Sequence, residues 1–240
     1  MTVTWEELGW ERLAAGVGRC RLPGWDCTVG LVVGGGSALM IDAGSSVAEG
    51  ARLRGEAQAL AGHRVTHLAL THPHFDHVFG AAVFAGATVF AAGRAHEVFE
   101  RGGEELRADA VRNGLDPRAA ENAADTLVRP REYVWGNALL ELDEGPQALM
   151  VTTRGHTAHD LVLLVPGDPA VVFCGDLVEE SGEPQAGPDA VPSLWPAALD
   201  RLLDLGGEDA VYVPGHGAVV DAAFVRAQRD ALATRFGVSR

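Results

Sequence analysis

The sequence predicts a single α/β domain, 1–240, in which helices cover sheets, and three observations carry that expectation. With 240 residues, 47% of them hydrophobic, the chain is long enough for one sizeable core and within the size of one domain. Short apolar runs bounded by glycine alternate with longer stretches of helical composition. Both halves of the chain show this mixture, as expected where helices pack on sheets.

Residues 28–33 and 38–41 are apolar and flank Gly34, Gly35 and Gly36, a hairpin signal. Residues 47–61 read as a helix, and 65–70 return to a buried-strand pattern. A short helix is expected from Val78, then a strand over 87–91. The stretch 94–125 reads as two or three polar, Ala-rich helices, with Asp116 and Pro117 as cap and first turn. It is a candidate lid or dimer surface, or a simple cover for the sheet. In the second half, strands are expected over 139–142, 148–152, 161–165 and 171–174, followed by a Gly/Pro-rich loop over 181–192. A helix over 195–205 sets Leu199, Leu202 and Leu203 on one face, and a strand follows over 210–213. The closing helix over 221–236 carries Phe224, Leu232 and Phe236.

Composition excludes several functions. Lys plus Arg number 19 against 33 Asp plus Glu, a formal charge of -14, so the field repels phosphate backbones and no nucleic-acid partner is expected. The stretch MTVTWEELGW lacks a basic start before an apolar run, and no stretch offers about 18 apolar residues in a row, so neither export nor a membrane span is signalled. Cys20, Cys27 and Cys174 form an odd, scattered set that suits reduced thiols in a cytoplasm. Pairing of Cys20 with Cys27 across a hairpin is the alternative to buried thiols.

The segment THPHFDH, 71–77, holds three of the nine histidines. In an extended segment alternate side chains share a face, so His72 and His74 converge while the adjacent Asp76 and His77 diverge toward a second point. Two metal ions explain both groupings. Imidazole and carboxylate suit zinc, and also iron or manganese, and a cation removes the penalty of crowding such groups. Three later segments, each following a strand, offer further ligands beside glycine: His156 in TTRGHT, Asp176 in VVFCGDL and His216 in VYVPGHG.

Together these residues resemble the metallo-β-lactamase-fold superfamily of metal-dependent hydrolases, whose HxHxDH motif matches His72, His74, Asp76 and His77. The resemblance runs from Asp42 in MIDAG to PGHG. It implies a four-layer αββα sandwich with metals at one edge between the sheets. By the same resemblance His72, His74 and His156 hold one ion, Asp76, His77 and His216 hold a second, and Asp176 bridges them. Asp42 is then an orienting partner for a ligand, or a turn-forming residue before Ala43 and Gly44. His159 stands where the family usually has glycine and is a candidate for contact with substrate or water, or a bonded turn residue. His63, His67 and His96 are expected to be structural.

The chemistry this implies is hydrolysis of a small ester, thioester or lactone by a metal-bound hydroxide, since two cations lower the pKa of water toward roughly 7. Asp76 is the candidate catalytic residue, orienting the nucleophile or passing a proton to the leaving group. A bridging acid at Asp176 is similar to thioesterases of the glyoxalase II type and to lactonases more than to true β-lactamases. Cys174 does not align with the cysteine ligand of some β-lactamases. No helical substrate domain like that of glyoxalase II follows PGHG, which argues against a glutathione thioester. The alternatives are a mononuclear iron enzyme like the persulfide dioxygenases, a β-lactamase, or a metal-containing binding protein without turnover. The tRNA-processing nucleases of the fold share the motif but carry basic extensions, absent here. Pocket candidates are Trp25, Phe75, Phe79 and Trp195, because aromatic rings bind apolar groups and equally fill cores.

Overall fold

The computed structural model describes residues 3–238. Its first sheet has seven strands in chain order: β1 (Glu11–Ala14), β2 (Val17–Arg21), β3 (Thr28–Val33), β4 (Ala38–Ile41), β5 (His67–Ala69), β6 (Thr88–Ala92) and β7 (Glu132–Val134). The pairs from β1 to β4 are antiparallel and those from β4 to β7 parallel. The second sheet comprises β8 (Asn137–Glu141), β9 (Gln147–Thr153), β10 (Asp160–Val165), β11 (Val171–Glu179) and β12 (Val211–His216), in the order β12-β11-β10-β9-β8. Only β11 and β12 run parallel there.

Alternation along the strands separates three apolar layers. Leu31 and Met40 face the helices of the first half, while Val32, Leu39 and Ile41 face the second sheet, where they meet Leu161, Leu163 and Phe173. From the other side of β10 and β11, Val162 and Val172 pack on α6 (Trp195–Gly206) and α7 (Ala222–Phe236) through Leu199, Leu202, Val225 and Leu232. Helix, sheet, sheet and helix are therefore stacked in four layers, as the resemblance implied.

The remaining helices are α1 (Val47–Ala61), α2 (Phe75–Val78), α3 (His96–Arg101), α4 (Glu104–Arg112) and α5 (Pro117–Asp125). Ser46 caps α1 through the Glu49 amide, Asp116 caps α5 with Pro117 in its first turn, and Asp221 caps α7 through the Phe224 amide. Strands β1, β2 and β7 lie outside the sequence expectations. The first two are polar or glycine-broken, and β2 carries a buried charge: Arg19 pairs with Glu11 at 2.7 Å and donates to the Gly217 carbonyl at 2.7 Å. No periodicity marks such a strand, because its burial comes from pairing between distant segments.

All three cysteines are free and buried, so Cys20 and Cys27 do not pair. Among the described residues no helix is long and apolar enough to cross a membrane.

Candidate metal centre

Strand β5 ends at Ala69 and delivers Thr71 and His72 to the rim between the sheets. The next residues are not extended. His74 is the N-cap of α2, and Asp76 and His77 lie within that one-turn helix. Their divergence, expected from strand alternation, comes instead from the roughly 100° turn between neighbouring helical residues. His156 sits in the turn between β9 and β10, which Asp160 closes by accepting from the Thr157 amide at 3.0 Å and the Thr157 hydroxyl at 2.6 Å. Asp176 lies within β11 rather than after it, where the ladder with β12 slips around Gly175 at φ 54°. His216 is the last residue of β12. Beside it, Gly215 leaves the room Asp176 occupies, since a Cβ there would collide with Asp176 Oδ1.

The seven expected ligands converge. Donor atoms of His72, His74, His156 and Asp176 all lie within 4.8 Å of one another, and so do those of His77, Asp176 and His216. Asp176 Oδ2 is 3.6 Å from His72 Nε2, 3.4 Å from His156 Nε2 and 3.2 Å from His216 Nε2, while its Oδ1 is 3.2 Å from His77 Nε2. Asp76 Oδ2 is 3.3 Å from His216 Nε2 and 3.6 Å from His77 Nε2. A tetrahedral zinc with bonds of about 2.05 Å has ligand–ligand edges of about 3.3 Å, which matches this spacing.

The outward nitrogens explain why the inward ones are free. His77 Nδ1 faces Asp42 Oδ2 at 2.8 Å, His156 Nδ1 the Gln185 carbonyl at 3.0 Å, and His216 Nδ1 the Trp25 carbonyl at 2.7 Å. His74 is reversed, with Nε2 on Asp189 Oδ2 at 3.0 Å and Nδ1 pointing inward, 3.0 Å from His156 Nε2. The Thr71 hydroxyl donates to Asp42 Oδ2 at 2.7 Å, so its oxygen is left to accept from His72 Nδ1 at 3.0 Å. Every outward nitrogen meets an acceptor and must carry the hydrogen, an assignment made from the network. In the neutral rings five lone pairs then point at two carboxylates. Two buried atoms there, His72 Nε2 and Asp176 Oδ1, have no hydrogen-bond partner. Native interiors rarely leave such atoms unsatisfied, and cations at this place satisfy all of them, so the residues present fit metal.

Without cations the cluster must hold protons. Burial works against ionised Asp176, but the charges of His216, His77, His72 and His156 keep its carboxyl well below the usual range. Burial likewise opposes a charged His216, yet Asp176 and Asp76 push it up to about 12. His77 rises well above its ordinary value despite burial, through Cys27, Asp176, Asp76 and Asp42. His156 is held down to about 4 and His72 also well below the ordinary value, in both cases chiefly by burial.

A cavity of 720 Å³ opens onto the cluster, with Asp76, His156, Asp176 and His216 at its base. Trp25 and Phe75 line it, their rings edge to face at 5.3 Å. Helices α3 and α4 of the 94–125 segment also line it, and the Trp25 indole donates to the Asn113 carbonyl at 3.2 Å. Phe79 is core, 1% exposed. Trp195 does not reach the cavity and is a correction: fully buried, it packs behind the His156 ring at 5.5 Å and donates to the Leu177 carbonyl at 2.9 Å. Its place at the head of an apolar helix face decided this. His159 lines the cavity half-buried, and its Nδ1 has no hydrogen-bond partner. Its imidazole is held below the ordinary value by burial. His63, His67 and His96 are bonded to backbone or to Thr66, away from the ligands.

Cys27, Asp189, Thr71 and Glu179 also belong to the site and escaped sequence reasoning. Cys27 Sγ is 3.7 Å from both ring nitrogens of His77. Equal distances place the sulfur on neither lone-pair axis, so it packs against the ring and does not share an ion with Nε2. Burial pushes its thiol up to about 11, against the opposing pull of the His77 charge. Glu179 lines the cavity and accepts from the Gln185 amide at 3.0 Å; burial and then Asp176 raise it to about 7. Thr71 carried a signal, being the residue before HxHxDH. Asp189 and Glu179 carried none, because the loop that brings them in has no regular pattern.

The Metallo-beta-lactamase superfamily model matches residues 22–216. The chain belongs to that superfamily. The metallo-beta-lactamase superfamily consists mostly of metal-dependent hydrolases, and its members bind metal ions, typically zinc. The Metallo-beta-lactamase domain-containing protein 1 of Xenopus laevis is 30% identical over 162 residues, covering 67% of this chain and 57% of that protein's length. Among solved structures, TMB-1 superposes with a TM-score of 0.70 at 20% identity, over 94% of this chain and 97% of that one. The metallo-beta-lactamase from Pontibacter korlensis gives 0.67 at 20% identity, over 93% and 97%. At such identities the superpositions establish the fold alone.

Proposed function

We propose that the protein is a dinuclear hydrolase of small esters, thioesters or lactones, zinc being the preferred ion. The observation that carries this reading is the inward aim of five imidazole nitrogens at Asp76 and Asp176. In this reading His72, His74 and His156 would hold one ion and Asp76, His77 and His216 the other, with Asp176 available to either. Bound there, two cations supply Lewis acidity and bring the pKa of water toward roughly 7.

The protein's own groups do the rest. Asp42, Thr71, Asp189 and the carbonyls of Trp25 and Gln185 hold the outward hydrogen of each ring, so that the inward nitrogen is the one that gives up its proton to a metal. Asp76 reaches the cavity floor, where its carboxylate can orient water toward the substrate carbonyl and return a proton to the departing oxygen or sulfur. The acyl carbon gains the water oxygen as its bond to the leaving group breaks. Trp25 and Phe75 exclude water beside that carbon. The partner is a small molecule.

The test is metal analysis of the purified protein, followed by a panel of esters, thioesters, lactones and a chromogenic β-lactam. Two ions per chain and turnover of an acyl substrate, abolished in Asp176→Ala, are expected. A folded protein that takes up no transition metal, or activity retained in Asp176→Ala, refutes the proposal.

A further inference from the structure

We propose that Trp25, Phe75, Val98 and Leu106 form the seat for the acyl part of the substrate, and that this seat selects an uncharged, apolar chain over one ending in a carboxylate. The inference rests on the hydrolase reading above and specifies its substrate class.

Position is the first support. Phe75 and Asp76 both line the cavity, so a chain attached to an acyl carbon at the cluster has the edge of the Phe75 ring, 4% exposed, within the same space. Trp25 stands edge-on to that ring, and Val98 of α3 and Leu106 of α4 line the same cavity, Leu106 in one apolar cluster with Phe75 and Trp25. The indole N–H is already given to Asn113, so Trp25 presents its ring face without a polar handle. At 720 Å³ the cavity falls within the range of small-molecule sites.

Charge is the second. The rest of the polar lining is neutral or acidic: Asn113, His159, Ser181 and Gln185 beside Glu105, Asp109, Glu179 and Asp189. Only Arg101 and Arg112 oppose them among the described lining residues. Each already faces an acid of its own helix or its start, Arg101 with Glu97 at 3.7 Å and Arg112 with Asp109 at 2.9 Å. Both are open to water, with side chains 65% and 68% exposed. The whole sequence contains arginine but no lysine, and its formal charge is -14. Away from the metal cluster, a carboxylate on the substrate is bound well only by a fixed, desolvated cation, and the described lining offers there only the exposed, already paired Arg101 and Arg112.

The test uses metal-loaded protein and S-ethyl thioesters, whose small common leaving group is followed with a thiol reagent. From acetyl to octanoyl, kcat/KM should climb by about fourfold per buried methylene until the cavity is full. The S-ethyl monothioester of succinate should fall at least about tenfold below a neutral thioester of matched length. Val98→Arg should lower the octanoyl-to-acetyl ratio and raise the succinyl-to-neutral ratio. Calorimetry with octanamide against acetamide gives a readout independent of turnover. A flat acyl series, or succinyl hydrolysed as well as its neutral match, overturns the proposal, as does turnover without octanamide binding. Octanamide binding with no thioester turned over supports the seat and counts against the hydrolase reading.

Discussion

Replacing Asp42 by Asn tests whether ligand tautomers are set from behind. Asp42 is 2% exposed and accepts from the Thr71 amide at 2.7 Å, the Thr71 hydroxyl at 2.7 Å and His77 Nδ1 at 2.8 Å. Its φ of 61° suits Asn, so the backbone need not change. An amide keeps one acceptor oxygen. With that oxygen on the Thr71 amide, the new NH2 confronts two groups that were donating. His77 escapes by moving its hydrogen to Nε2, the nitrogen meant for metal. The Thr71 hydroxyl escapes by turning toward His72 Nδ1, which drives the hydrogen of His72 inward as well. Loss of one such orienting partner costs about 10–100-fold in metal affinity, or about 1.4–2.7 kcal/mol. Folding of the metal-free chain should lose about 1.5–3 kcal/mol with the charged acceptor. Competition against a chromogenic zinc chelator measures the first, and urea unfolding in chelator the second. A folded Asp42→Asn protein binding both ions with wild-type affinity refutes the tautomer argument.

Three further outcomes follow from the geometry. In chelator, Tm should fall as pH rises from 7 to 9: the folded His216 titrates near 12 against an ordinary 6.5, so its stabilisation is complete below 6.5 and lost on the way up; a flat or rising Tm contradicts this. Gly215→Ala puts a methyl group against Asp176 Oδ1 and should lower metal affinity at least about tenfold, read by metal analysis after dialysis; full metal retention contradicts it. Trp195→Phe removes one of the two donors to the buried Leu177 carbonyl, Gln228 Nε2 remaining at 2.7 Å, and should cost about 0.5–1.5 kcal/mol in urea unfolding with KM unchanged, since Trp195 does not line the cavity over the cluster; a raised KM at wild-type stability reverses the assignment.

Much of this was legible in the sequence because ligands and strands announce themselves locally. The bounds of β3, β4 and α1 match their apolar runs and caps, and the seven converging side chains stood out as His or Asp in a motif or beside glycine. Direction was not legible. The sequence suggests an extended HxHxDH, whereas His74 caps a helix that carries Asp76 and His77. Nor were partners contributed from far away: Asp189 meets His74 across 115 positions, and Arg19 reaches Gly217 across 198. Such pairs leave no periodic trace, because only the folded topology brings them together. Trp195 shows the same limit, for an aromatic residue reads alike whether it backs a ligand or greets a substrate.

The candidate ligands are divided between the two sheets: His72, His74, Asp76 and His77 follow β5 of one, and His156, Asp176 and His216 belong to the other. Any ion held at this rim is therefore also a rivet through the sandwich, fastening segments 79 to 144 residues apart and narrowing the freedom of the unfolded chain only while it stays bound. A shortage of metal should consequently loosen the whole molecule as well as silence its chemistry, and starved cells should lose the protein to proteolysis before they accumulate an inert copy.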